Sequence, residues 1–99
     1  MPYICWNSET KQVYTRLQLN KYNMEYYGVW YNEMDEENGI PKIEQTELIR
    51  SFGLQDADLW TLVEVDERTL KLFNVKLNNS PKVRLYYDGH NHSWSEPQP

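Results

Sequence analysis

Residues 59–77 read LWTLVEVDERTLKLFNVKL, and the way this stretch is taken decides the fold. In its first half Leu59, Thr61, Val63 and Val65 alternate with Trp60, Leu62 and Glu64, the period of two expected of a strand. Asp66-Glu67-Arg68 turns the chain. Phe73, Val75 and Leu77 then alternate with Asn74, Lys76 and Asn78, again at period two. Leu70, Phe73 and Leu77 also share one face of a helix drawn over residues 67–77. The strand is the expectation here, and the helix is its alternative.

Working upstream, Glu44, Glu47 and Arg50 sit in an apolar-periodic stretch, Ile43 to Phe52, with Ile43, Leu48, Ile49 and Phe52 as the apolar stripe. Gly53 suits a left-handed exit, and Leu54 suits the apolar contact that follows one. This predicts a helix over about 43–52. Asn38-Gly39 and Pro41 mark a loop before it. Met24 to Asn32 reads as a strand with aromatics on both faces, Gly28 marking a bulge or a close backbone approach. Val13 to Leu19 alternates as a strand and pairs with Tyr3–Trp6 through a turn at residues 8–11. Downstream, Val83, Leu85 and Tyr87 alternate with Arg84 and Tyr86.

The expected architecture is α+β: a small, mostly antiparallel sheet of about six strands, with one short helix between the third and fourth. Residues 1–89 form the single expected domain, and 90–99 a polar, mobile tail. Two strands, a loop, a helix and further strands can also be drawn as a ubiquitin-like β-grasp with an N-terminal addition, a likeness of element order alone.

The chain of 99 residues suits one domain with a modest core. Eight Tyr, four Trp and two Phe make that core aromatic in part. Its one cysteine, Cys5, excludes an internal disulfide framework. No apolar run is long enough to span a bilayer, and the start does not read as a secretory signal. An intracellular setting is therefore expected, with no membrane partner.

Charge is distributed unevenly. Net charge is −5, yet residues 33–67 hold eleven acids against Lys42 and Arg50, while the flanking thirds carry net positive charge. A protein that binds free nucleic acid would show a basic stripe instead. Carboxylates spaced along a rigid surface fit a basic partner surface, including the groove of a nucleic-acid enzyme where phosphates would lie. The candidate contact residues are Glu33, Asp35, Glu36, Glu37, Glu44, Glu47, Asp56 and Asp58, with Trp30 and Trp60 as aromatic anchors. The ordinary alternative is a solvated acidic face over an aromatic core.

Other chemistry is weaker. Asp88, His90 and His92 share one side of an extended chain and offer two imidazoles and a carboxylate. They lie beside the expected tail and lack a fourth ligand nearby, so no metal is expected. Cys5 with His90 or His92 as base would make a nucleophilic pair, but no nucleophile motif surrounds it, and a buried small residue beside Trp6 is the simpler reading. The acids before Asn38-Gly39 lack calcium-loop spacing. With four glycines there is no phosphate-cradling loop, and no cofactor is expected.

The expected function is non-enzymatic: a protein-binding domain, monomer or dimer, that inhibits or modulates a nucleic-acid-handling protein through its acidic surface. Small stand-alone acidic chains of this kind occur among phage and mobile-element proteins, and such an origin is the guess here. The alternative is a ubiquitin-like or other small β-domain adaptor with no link to nucleic acid. A small metal-dependent enzyme is the third reading and has the least behind it.

Overall fold

The computed structural model describes residues 1–33 and 42–98, and it takes the decisive stretch the other way in its second half. Trp60–Glu64 is a strand, as expected, but Glu67–Leu77 is a helix. The Asp66 carboxylate accepts the Thr69 amide and caps the first turn, which otherwise leaves its N–H groups without partners. Asn78 ends the helix in the left-handed conformation, at φ 53°, and returns its own N–H to the Asn74 carbonyl. Burial shows why the period-two reading fails. Phe73 and Leu77 are buried, while Val75, which a strand would place beside them, is 71% exposed.

The elements in order are β1 (Pro2–Asn7), β2 (Gln12–Val13), β3 (Thr15–Leu19), β4 (Glu25–Val29), β5 (Tyr31–Glu33), α1 (Lys42–Ser51), a 3-10 turn (Ala57–Leu59), β6 (Trp60–Glu64), α2 (Glu67–Leu77), β7 (Val83–Tyr87) and β8 (Ser93–Pro97). The fold is α+β, and the described residues form a six-stranded antiparallel sheet and two α-helices rather than one. Helix α1 lies within a residue of its expected span but follows the fifth strand, not the third. Two expected long strands each break once, at Tyr14 and at Trp30. The Trp30 N–H donates to the Tyr14 carbonyl at 3.2 Å, marking where both strands leave the main sheet. Beyond that point β3 and β4 form a separate two-stranded hairpin.

β1 is the centre of the sheet. Its residues 3–7 pair with β6 on one side, and β5 and β2 share the other. β7 pairs with β2, and β8 with β7. Alternate side chains of β1 enter two cores. Ile4 joins Val13, Val29, Val65, Phe73, Leu77, Leu85 and Tyr87 beneath α2. Cys5 joins Ile49, Trp60 and Leu62 beneath α1, with Phe52 and Leu54 packed against them. The two helices therefore cover opposite faces of the sheet.

The C-terminal boundary expected at residue 89 falls inside the β7–β8 hairpin. Ser93 is buried, Trp94 stacks on Tyr86 with ring centroids 5.6 Å apart, and the Lys76 ammonium of α2 donates to the Ser93 carbonyl. Among the described residues no helix is long and apolar enough to cross a membrane.

Candidate functional site

The helix α1 and the turn after it place four of the sequence-selected acids at the surface. Glu44 and Glu47 stand exposed on α1, and Asp56 and Asp58 stand exposed at the 3-10 turn that packs against it. Asp56 enters that turn in the left-handed region, at φ 55°, which an aspartate tolerates better than most residues. Between the helix, the turn and β6 lies a shallow cleft of about 230 Å³ lined by Gln45, Thr46, Ile49, Asp58, Trp60 and Thr61. No basic group of the described residues lies within ion-pair distance of these four acids.

A second acidic group lies at the far end of β6. Glu33 pairs across the sheet with Pro2 and lies 3.8 Å from the N-terminal ammonium. Glu64 accepts a hydrogen bond from the Tyr3 hydroxyl at 2.9 Å. Asp66 is committed to the α2 cap, and hydrogen bonds from the Thr69 hydroxyl and amide hold its carboxyl below the usual aspartate range. Glu64 and Asp66 lie at the end of β6, whose other edge meets no strand among the described residues, while Glu33 lies across β1 on β5. Asp35, Glu36 and Glu37 lie outside the described residues.

The two selected tryptophans separate. Trp30 is half-buried, with its ring edge-on to Phe52 at 4.9 Å. Trp60 is only 9% exposed and belongs to the core under α1 with Cys5 and Leu62. The surface-anchor role expected of Trp60 does not fit this position: the even-numbered side chains of β6 point toward α1, and Trp60 is the first of them.

Asp88, His90 and His92 are tied to local structure. One Asp88 carboxylate oxygen accepts the backbone amides of His90, Asn91 and His92 at 2.8, 3.0 and 3.1 Å. Those bonds, the His90 amide first, lower the carboxyl's pKa. The His92 imidazole stacks on Trp94 at 5.4 Å. The turn uses the carboxylate that a metal would need. Cys5 is fully buried, and burial pushes its thiol up to about 12, so it holds almost no thiolate at neutral pH.

One feature escaped the sequence reading. The β3–β4 hairpin projects Leu17, Leu19, Tyr22 and Met24 into solvent, each more than half exposed. A groove of about 480 Å³ beside them is lined by Arg16, Leu17, Gln18, Leu19, Glu25 and Trp30. The alternation over 13–19 correctly signals a strand, but alternation alone does not say that Leu17 and Leu19 lie beyond the edge of both helices.

The chain matches no protein-family model, no curated protein and no solved structure.

Proposed function

We propose that this chain is a non-enzymatic binding module that docks a basic surface on a protein partner, with a nucleic-acid-handling protein as the class that fits best. The observation that carries the reading is the group Glu44, Glu47, Asp56 and Asp58: four exposed carboxylates on two contacting elements, with no base of the described residues within ion-pair distance of them. Charges held this way repel one another and cost the free protein stability. They gain from a partner that supplies Lys and Arg in a groove, where carboxylates stand in for phosphate oxygens. Burial of Cys5 and the structural role of Asp88 support a binding role over a catalytic one.

The test is capture of partners from lysate, followed by binding of the purified partner at increasing salt. Exposed charge pairs are screened over about 8 Å at physiological ionic strength, so affinity should fall as salt rises. Charge reversal of Glu44 and Glu47 to Lys should slow association. A partner whose affinity ignores both salt and the reversal would favour the adaptor reading instead.

A further inference from the structure

We propose that the free edge of β3 pairs antiparallel with the same edge of a second copy of this chain, centred on Leu17, so that the exposed apolar side chains of the two hairpins cover each other. The hairpin has two edges, and they are treated differently. On the β4 edge, the amides of Tyr27 and Val29 point outward and are taken up by the carboxamide oxygens of Asn79 and Asn74. In an antiparallel pair, residues opposite such outward-facing partners turn their own N–H and C=O outward on the other side. Thr15 lies opposite Val29 and Leu17 opposite Tyr27, and Leu19, two residues further along β3, turns the same way. The outward backbone groups of β3 are therefore those of Thr15, Leu17 and Leu19, and among the described residues β3 pairs with β4 alone.

Sheet edges are normally blunted by charge, proline or cover. β8 carries Glu96 and Pro97, and β6 is flanked by Asp58 and Glu64. β3 instead presents Leu17 and Leu19, 57% and 59% exposed, with Tyr22 and Met24 beside the hairpin tip. An open edge with alternating apolar side chains is the geometry that strand addition uses.

Charge selects a second copy as the occupant. Residues 33–67 carry a net −9, so two copies repel if that region faces itself. Residues 14–24 carry Arg16 and Lys21 and no acid, and Glu25 follows directly, so the hairpin is nearly neutral. Antiparallel pairing centred on Leu17 sets Leu17 against Leu17, Leu19 against Thr15, and Arg16 against the uncharged Gln18, so no like charges lie directly opposite. The interface is then self-complementary, as a two-fold dimer requires.

The experiment is sedimentation equilibrium of the full chain over a concentration series, with hydrogen exchange on the same samples. A monomer–dimer equilibrium is expected, and Leu17→Lys with Leu19→Lys should abolish it. The amides of Leu17 and Leu19 should become protected as concentration rises. Those of Arg16 and Gln18, which face β4, should be protected at every concentration. A monomer throughout would overturn the proposal, as would a dimer that survives the double substitution. A dimer that leaves the Leu17 and Leu19 amides unprotected would also overturn it, and this readout on the unaltered chain holds even if the double variant fails to fold.

Discussion

Asn74, on α2, accepts the backbone amide of Val29 on β4, with its Oδ1 2.9 Å from the Val29 nitrogen. A side chain of the helix thus does the work of a neighbouring strand, and it ties the hairpin to the core that Val29 enters. The contact depends on Gly28. A Cβ there would lie 3.0 Å from the same Asn74 oxygen and 2.7 Å from the Tyr26 ring. Asn74→Ala leaves the part-buried Val29 amide without its partner, and the expected loss is about 1–3 kcal/mol. Gly28→Ala should destabilise by a similar amount, because it crowds the pair apart. Both losses would appear as a lower melting temperature, and the double variant should lose less than the sum of the two singles.

The helical state of residues 67–77 has a separate signature. Phe73→Ala should cost about 3–5 kcal/mol, since the ring is almost wholly buried against Tyr87 and Ile4. Val75→Lys should stay within about 0.5 kcal/mol of the parent, as a surface change does. A strand with Phe73 and Val75 on one face would make both substitutions costly. Denaturant melts of the two variants separate the outcomes.

That contrast shows what was legible beforehand. The positions of β1, β6, β7 and α1 follow from alternation and from the Gly53 exit, at φ 72°, because each of those signals is local. α2 was hidden because Phe73 and Leu77 satisfy both periods, with Val75 completing the strand pattern and Leu70 the helical one. The residues that settle it are polar: Asp66 at the N-cap and Asn78 in the left-handed exit. The division of residues 13–19 and 24–32 into main sheet and hairpin had no local signal, since Tyr14 and Trp30 become a break only once they meet. Of the candidate site, Glu44, Glu47, Asp56 and Asp58 are exposed. Trp60 is not, and its sequence position does not reveal this, because an aromatic at the start of a strand looks the same whether it is an anchor or core.

The Asp66 cap should make part of the stability depend on pH. Its carboxyl is held below the usual aspartate range by hydrogen bonds from Thr69, so its contribution is complete above the unfolded value and is lost as pH falls through the lower folded value. Asp66→Ala should lower the melting temperature by roughly 4–8 °C at neutral pH, the effect of one capping bond in a domain of this size. The gap between parent and variant should narrow once pH drops below about 4. A constant gap down to strong acid would mean that the cap does not depend on the carboxylate.

Cys5 should report on unfolding. Its thiol is buried, with its pKa pushed to about 12, so a thiol reagent at mildly alkaline pH should modify the native chain only as fast as the chain opens. Labelling should speed up in denaturant in step with loss of the fold. Fast labelling of the native chain would place Cys5 at the surface and contradict the core formed with Ile49, Trp60 and Leu62.

The acidic face makes opposite predictions for the free and the bound chain, and this separates function from mere solvation. Without a partner, Glu44, Glu47, Asp56 and Asp58 repel one another, and no base of the described residues lies within ion-pair distance of them. Replacing Glu47 and Asp58 by Lys should therefore leave the melting temperature unchanged or raise it slightly. With a basic partner the same double reversal should slow association strongly, and the loss should shrink as salt rises, since screening removes the attraction it abolished. Reversing Glu9 or Glu96, which lie outside the acidic segment, should alter neither the melting temperature nor the association rate by much. Trp60→Ala belongs to a different class: its expected effect is a loss of roughly 3–5 kcal/mol of folding stability, because the ring is core. Reduced binding by that variant counts as evidence about the surface only if its melting shows it folded. Association rates that stay the same after the Glu47 and Asp58 reversal, in variants shown to be folded, would leave the acids as a solvated face and remove the basis for the proposed docking mode.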